Sequence, residues 1–180
     1  SMVYGNWDSN LTTKSEIDRC APIDLYGMLK YTGEGLVKEL HNRRTIVRPT
    51  AVYGAGDDPQ RVLPKFIRTA RAGEEIEVKG SDNCLDFTHV SYVTQAVRLV
   101  VEQPDISVNQ IYNISYGQSH ALDTVADYIC TQLKTGTYKV IQRDYDYPAR
   151  GALSTQKIRK ELGYTANISV NQGINDLLWK

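Results

Sequence analysis

The sequence has few cysteines, no net charge and no long apolar run. Cys20, Cys84 and Cys130 are far apart in the 180 residues and form no C-x-x-C pair, so neither a disulfide framework nor a zinc site is indicated. The 21 basic residues balance the 21 acidic ones, which argues against non-specific binding to nucleic acid or to an anionic membrane surface. The three histidines lack metal-ligand spacing and predict no metal site. The absence of a membrane-length apolar segment and of a targeting sequence at the N-terminus predicts a cytoplasmic protein.

The sequence also lacks the glycine-rich turns that hold phosphate groups. It contains neither G-x-G-x-x-G nor G-x-x-G-x-x-G, and Gly54-Ala55-Gly56 has no third glycine. No P-loop and no G-x-S-x-G nucleophile turn is present. A dinucleotide pyrophosphate therefore has no helix N-terminus of the usual kind in this sequence.

Helical and extended patterns alternate along the chain. Apolar spacing, capping residues and glycine or proline stops predict helices over 24–40, 62–72, 90–101, 122–133 and 154–162. Short β-branched or alternating runs predict strands over 45–48, 75–78, 111–114 and 138–141. This alternation favours an α/β fold.

Tyr26 and Lys30 are the first candidate catalytic residues. They are four residues apart on the first predicted helix, so both side chains lie on one face, one turn from each other. A phenol has an ordinary pKa of about 10, and a nearby ammonium group lowers such a pKa by favouring the phenolate. A tyrosine in this setting can accept a proton, although an exposed helical pair with no chemical role is the alternative.

Four motifs in one order, with a fifth segment near the C-terminus, resemble a known family. They are Val3-Tyr4-Gly5, then Tyr26-x-x-x-Lys30, then Arg48-Pro49-Thr50-Ala51-Val52-Tyr53-Gly54, then Leu85-Asp86-Phe87-Thr88-His89-Val90, and finally Tyr147-Pro148-Ala149-Arg150-Gly151-Ala152-Leu153. Read together they are similar to the extended short-chain dehydrogenase/reductases, the NAD-dependent nucleotide-sugar epimerases and dehydratases. A final predicted helix over 173–179 also fits that family, so the resemblance covers nearly the whole chain.

The resemblance implies a role for each residue near the cofactor. In that family the tyrosine, here Tyr26, takes a proton from a sugar hydroxyl while NAD accepts hydride from the same carbon, leaving a keto sugar. By the same resemblance, Lys30 lowers the pKa of the tyrosine and holds the nicotinamide ribose. The backbones of Pro49 and Val52 are carried over as contacts to the cofactor.

The resemblance also implies substrate contacts and a fold. Arg150 matches a basic residue that contacts the nucleotide diphosphate, a task that suits a guanidinium group, and Val78 and Lys65 are further candidate substrate-binding residues. The implied α/β fold is a remnant of a Rossmann-like parallel sheet plus a smaller α/β substrate-binding domain. Residues 1–60 would form the C-terminal part of the Rossmann-like domain, and residues 61–180 mainly the substrate-binding region, with some segments returning to the Rossmann-like part.

Several positions depart from the family's pattern. Ala51 stands where the family usually has Asn, Leu85 where it has Arg, and Ser91-Tyr92 where it has an acidic pair. The catalytic Ser or Thr that precedes the Val-Tyr-Gly motif falls one residue before Ser1, which is an off-register candidate. The glycine-rich turn would also precede Ser1, so we expect an N-terminally truncated chain that does not by itself hold NAD.

The predicted function is that of an NAD-dependent nucleotide-sugar epimerase, with a dehydratase as the close second choice. Epimerase is favoured because the acidic pair expected beside the catalytic Ser or Thr of a dehydratase is not seen. A homodimer through the helix that carries Tyr26 is implied by the resemblance. A non-catalytic sugar-nucleotide-binding module, or an inactive fragment without the dinucleotide site, is the alternative in a different class.

Overall fold

The structure is a computed structural model that describes residues 2–7, 13–80, 83–142 and 149–179. A 3₁₀ turn over Met2–Tyr4 opens it. The helices are α1 (Leu25–Leu40), α2 (Val62–Arg71), α3 (Val90–Glu102), α4 (Pro104–Ser107), α5 (Leu122–Leu133), α6 (Gln156–Leu162) and α7 (Val170–Leu178). The strands are β1 (Thr13–Lys14), β2 (Ile46–Pro49), β3 (Val52–Tyr53), β4 (Glu75–Lys79), β5 (Cys84–Leu85), β6 (Thr88–His89), β7 (Ile111–Ile114), β8 (His120–Ala121), β9 (Thr137–Ile141) and β10 (Ala152–Leu153).

Most strand pairs in the described residues are parallel. β2 pairs with β7, β3 with β6, β4 with β9 and β1 with β10 in parallel, whereas β5 and β8 are antiparallel. Helices connect the partners of the parallel pairs, as such pairs require crossover connections. The α/β fold predicted from the sequence is therefore confirmed.

The β2–β7 pair has one apolar and one polar face, because side chains alternate along a strand. Val47, Tyr112 and Ile114 pack on the apolar face in a core with residues of α3, of α6 and of the segment after α6, namely Tyr92, Ala96, Ile158, Leu162 and Tyr164. Arg48 and Asn113 lie on the other face and are also buried. Helix α1 is joined to this polar face through Glu34, so the helix that carries Tyr26 meets the sheet across charged groups.

A second apolar core lies around α2, α5, α7 and β4. Its fully buried members include Leu63, Ala70, Ile76, Val78, Ala126, Ile129, Val170 and Ile174. The segment from β2 to α2, which contains β3, lines the cavities described below. The division at residue 60 stays a prediction, although β7, α3 and α6 do return from the later part of the chain to β2.

Helix α1 contributes little to either core. Gly27 and Glu34 are its buried residues, while Leu29, Leu36 and Leu40 are exposed. The leucine-rich face of α1 therefore faces away from the rest of this chain.

The described part of the chain contains neither a membrane-spanning helix nor a group of metal-ligating side chains. None of its helices is both long and apolar enough to cross a membrane. Within it, no three His, Cys, Asp or Glu side chains come together as a group that could hold a metal ion.

Candidate active site

Two adjoining cavities form one cleft beside the N-terminal half of α1. The larger has a volume of about 640 Å³, and its lining includes five of the predicted site residues, Tyr26, Lys30, Pro49, Val52 and Arg150. The smaller has a volume of about 270 Å³. Four residues line both cavities: Ala51, Val52, Arg61 and Arg150. Side chains from distant parts of the sequence are thus brought together in one cleft.

The start of α1 is fixed by a cap and by a glycine. The Asp24 carboxylate accepts a hydrogen bond from the Gly27 backbone N–H at 2.6 Å, which satisfies one of the free donors of the first turn. A Cβ on Gly27 would lie 2.7 Å from the Met2 carbonyl oxygen. Only glycine lets the helix approach the N-terminal 3₁₀ turn so closely, and this contact sets where the first turn, with Tyr26, meets the cleft.

Tyr26 and Lys30 lie on the same wall of the larger cavity. The Lys30 Nζ is 5.4 Å from the centre of the Tyr26 ring, within the range of a cation–π contact. The Tyr26 side chain is 60% exposed, so its hydroxyl group is accessible from the cavity and from solvent. An ammonium and a phenol in this arrangement can hold adjacent hydroxyl groups of a bound ligand and can move a proton.

A buried ion pair joins α1 to β2 one turn beyond Lys30. Arg48 donates from Nε and Nη2 to the two oxygens of Glu34 at 2.8 and 2.7 Å. Its Nη1 donates to the Tyr4 hydroxyl at 2.8 Å, and that hydroxyl donates to Asn113 Oδ1 at 2.7 Å. Burial alone would disfavour the charge, but the bonds to Glu34 and Tyr4 outweigh it and raise the pKa of Arg48. Burial raises the pKa of Tyr4 to about 12, so its hydroxyl stays protonated.

The segment after β2 has its backbone fixed from both sides. The Thr50 N–H donates to the Ile114 carbonyl at 3.3 Å, and the Thr88 N–H donates to the Ala51 carbonyl at 3.1 Å. These bonds hold the backbone of residues 49–52 along the cavity wall, where Pro49 and Val52 are the predicted cofactor contacts.

Arg150 reaches the cleft from the other end of the chain. The Ala149 carbonyl accepts from the Trp7 N–H at 2.9 Å, and the Ala149 N–H donates to Asn6 Oδ1 at 3.0 Å. After Arg150 the chain enters β10, which pairs with β1. Arg150 therefore lies between two anchored points.

Two predicted substrate residues lie outside both cavities. The Val78 side chain is 1% exposed and packs in the second core, so only its backbone is available for a contact. Lys65 is exposed on α2 and lines neither cavity. Their roles stay predictions. Ser1, Tyr147 and Pro148 lie outside the described residues.

Arg61 and Glu34 are cleft residues that the sequence analysis did not find. Arg61 lines both cavities, and its Nη1 lies 3.3 Å from Asp57 Oδ1. Glu34 could have been noticed from its spacing, because Tyr26, Lys30 and Glu34 follow one another at intervals of four on one helical face. No comparable signal marks Arg61, which precedes α2 in a turn-rich loop.

Comparisons with known proteins identify the family of this chain. A family model described as the NAD dependent epimerase/dehydratase family matches residues 1–115. The dTDP-glucose 4,6-dehydratase of Streptomyces niveus is 26% identical over 182 residues, which covers 97% of this chain and 51% of that protein. A trifunctional UDP-glucose 4,6-dehydratase/UDP-4-keto-6-deoxy-D-glucose 3,5-epimerase/UDP-4-keto-L-rhamnose-reductase of Arabidopsis thaliana is 25% identical over 181 residues, which covers 96% of this chain and 27% of that protein.

A solved structure supports the same relationship. MoeE5 in complex with UDP-glucose and NAD superposes with a TM-score of 0.86 and 25% identity, covering 99% of this chain and 61% of that one. The chain therefore spans about half or less of the length of the two curated relatives. Because the family model matches well over half of the 180 residues, the chain belongs to the NAD-dependent epimerase/dehydratase family.

Proposed function

We propose that this chain is part of an NAD-dependent nucleotide-sugar epimerase in which Tyr26 assists hydride transfer through a keto-sugar intermediate. The observation that carries the proposal is the convergence of Tyr26, Lys30, Pro49, Val52 and Arg150 on one cavity. These five residues come from three separate motifs. A helical pair without a chemical role would not account for that convergence.

The proposed chemistry of this chain is proton transfer and hydroxyl binding. The Tyr26 hydroxyl oxygen takes the proton from a sugar hydroxyl as the C–O double bond forms, and it gives the proton back when the sugar is reduced on its other face. The Lys30 ammonium lies close to the same ring and can hold a neighbouring hydroxyl group of the ligand. A positioned acid or base of this kind contributes roughly 10²–10⁴-fold to a rate.

The residues present fit the nicotinamide ribose end of NAD. Lys30 and Tyr26 supply hydrogen-bonding groups one helical turn apart. The fixed backbone of residues 49–52 lines the same cavity and supplies the further cofactor contacts that the sequence predicts. When bound, NAD accepts the hydride and returns it. We propose that the complete protein binds NAD, whereas the 180-residue chain alone does not. Titration of the chain with NAD tests this part, and a micromolar Kd would contradict it.

The proposed substrate contact at the far end of the cleft is Arg150. Its guanidinium group can bind two diphosphate oxygens at once, and Arg61 lines the same two cavities. Ala51 and Leu85 stand where the family usually has polar residues, so these two positions offer the sugar no polar side chain. A nucleotide sugar is the proposed partner, and a binding panel of nucleotide sugars identifies its base and its sugar.

A dehydratase is the second candidate, because both curated relatives compared above are named as 4,6-dehydratases. The two activities give different products from the same nucleotide hexose. An epimerase returns a product of unchanged mass with one inverted carbon, whereas a dehydratase releases a product that is lighter by one water. Mass spectrometry of the product decides between them.

We also propose a homodimer that covers the exposed apolar face of α1. Leu25, Leu29, Leu36 and Leu40 lie on that helix and are exposed in the single chain. Size-exclusion chromatography with light scattering tests this: the wild type should have the mass of a dimer, and Leu29→Arg should have the mass of a monomer. A wild-type monomer at high micromolar concentration would contradict it.

The cytoplasmic location stays a prediction from composition.

The catalytic proposal is tested by Tyr26→Phe in the complete protein that carries this chain. The variant should lose at least about 100-fold in kcat and keep its affinity for the nucleotide sugar, because only the proton-transfer group is removed. Tyr31→Phe, on the same helix, is the matched control and should keep full activity. Undiminished turnover by Tyr26→Phe would contradict the mechanism, and nucleotide-sugar binding without turnover by the wild type would favour the non-catalytic module.

A further inference from the structure

Asp86 is a buried acidic residue that the proposed chemistry does not use. Its side chain is 1% exposed, and burial raises the pKa of its carboxyl group to about 6, while hydrogen bonds partly oppose that rise. Oδ2 accepts from the Leu153 N–H at 3.0 Å and Oδ1 accepts from the Gly117 N–H at 3.2 Å. Both oxygens are thus used to hold backbone groups of other segments.

These bonds join the wall of the smaller cavity to the segment that brings in Arg150. Leu85 and Phe87, the neighbours of Asp86, line that cavity together with Arg150. Leu153 lies three residues after Arg150 on β10. The Ser115 hydroxyl donates to the Leu153 carbonyl at 3.0 Å, so both polar groups of the Leu153 backbone are held by side chains.

On the C-terminal side of Arg150, the chain is therefore held at Leu153 by Asp86. Ala149 is held by Asn6 and Trp7 on the other side. A carboxylate is suited to this position because it can accept two N–H groups at once, whereas an amide would turn its NH₂ group towards one of them. In Asp86→Asn, the amide NH₂ would therefore face a backbone N–H with no acceptor between them. This repulsion would displace the segment that carries the N–H.

We propose that Asp86 is the positioning residue that holds Arg150 at the boundary of the two cavities, and so sets the affinity of the site for a diphosphate. The identity of the ligand rests on the proposed function; the placement of Arg150 by Asp86 does not. A role of Asp86 through its own charge and a role through the position of Arg150 predict opposite changes in anion affinity when Asp86 is replaced. Removal of a negative charge near the cleft would by itself strengthen the binding of an anion, whereas displacement of Arg150 weakens it.

The test is a double-mutant cycle on the 180-residue chain, with inorganic pyrophosphate and UDP-glucose as probes in calorimetric titrations. Arg150→Gln should weaken binding of both probes by about 10-fold or more, as expected for loss of a charge-assisted hydrogen bond. Asp86→Asn should weaken binding to a similar extent. The double variant should bind no more weakly than Arg150→Gln alone, because Asp86 acts only through Arg150.

A spectroscopic measurement makes the test independent of ligand binding. In the free chain, the Arg150 Nε–Hε resonance in ¹H–¹⁵N NMR spectra should shift or broaden in Asp86→Asn. It should stay unchanged in Thr45→Val, a matched control that removes the partly buried hydrogen bond from Thr45 to the Ser107 carbonyl. Ser115→Ala, which removes the Ser115 bonds to the Leu153 carbonyl and to Asp86 but keeps both N–H bonds to Asp86, should give a smaller shift and serves if Asp86→Asn does not fold.

The outcomes separate this proposal from the proposed function. An unmoved Arg150 resonance, unchanged or tighter pyrophosphate binding by Asp86→Asn, or additive losses in the cycle would overturn the role of Asp86. If the wild type binds neither probe at millimolar concentration, the proposed ligand class is overturned, and the Arg150 resonance still decides whether Asp86 places that side chain.

Discussion

The buried pair between Glu34 and Arg48 gives the sharpest stability prediction. Their side chains are 9% and 4% exposed, and two short hydrogen bonds join them. Glu34→Met keeps the length of the side chain but removes both acceptors, so the Arg48 charge stays buried without its carboxylate. Loss of one partner of a buried ion pair costs about 3–5 kcal/mol. A domain of this size is stable by only about 5–15 kcal/mol, so this is a large fraction.

The assay is thermal and urea unfolding followed by circular dichroism. At roughly 2–4 °C per kcal/mol for a chain of this length, Glu34→Met should lower the Tm by about 6–20 °C. Glu39→Met, at an exposed position of the same helix, is the matched control and should change the free energy of unfolding by less than about 0.5 kcal/mol. Glu34→Met combined with Arg48→Met should recover most of the loss, because no charge is then left buried. A loss below about 1 kcal/mol in Glu34→Met would refute this view of how α1 is held against the sheet.

Two further predictions concern Asp86 and Gly173. The pKa of Asp86 is raised in the folded state to about 6 from 3.8, so the folded protein binds this proton more tightly than the unfolded one. The wild type should therefore lose stability relative to Asp86→Asn as the pH rises from about 4 to about 7, by up to about 3 kcal/mol, and the difference should be constant above that range. A difference that grows in favour of the wild type over this range would contradict the sign. A Cβ on Gly173 would lie 2.0 Å from the buried Tyr53 hydroxyl, so Gly173→Ala should destabilise the chain by about 1–3 kcal/mol in urea unfolding, whereas Gly33→Ala, with open space around it, should be neutral or stabilising.

The longer helices were predictable because their signals are local. Asp24 caps α1 as expected, and α2 and α5 begin at the residues that the apolar spacing predicts. No pattern in the sequence predicts α4, because Pro104 is equally compatible with the end of the preceding helix and with the first turn of a new one. The last predicted helix begins at Gly173, whereas α7 begins at Val170, because the capping box of Ser169 and Gln172 sets its start.

The short strands and part of the site depend on partners distant in sequence. Strands of two residues such as β3 and β6 are too short for a periodic pattern and exist because they pair with each other. Predicted β2 ended at Arg48, but Pro49 continues it, since proline lacks only the donor and not the extended backbone. A charged residue, Arg48, within a β-branched run indicates that the strand buries a charge and needs a hydrogen-bonding partner for it. Only the fold shows that Glu34 and Tyr4 are the partners of this guanidinium group.

The most direct test of the proposed site is a ¹H–¹⁵N NMR titration of the chain with UDP-glucose and dTDP-glucose. If the cleft binds nucleotide sugars, saturable shifts should appear at Lys30, at residues 50–52 and at Arg150. They should weaken in Arg150→Gln, while the amides of α5, which lines neither cavity, stay unchanged. Saturable shifts confined to surfaces away from the cleft, or no shifts with either compound at millimolar concentration, would contradict the assignment of this cleft as a nucleotide-sugar site.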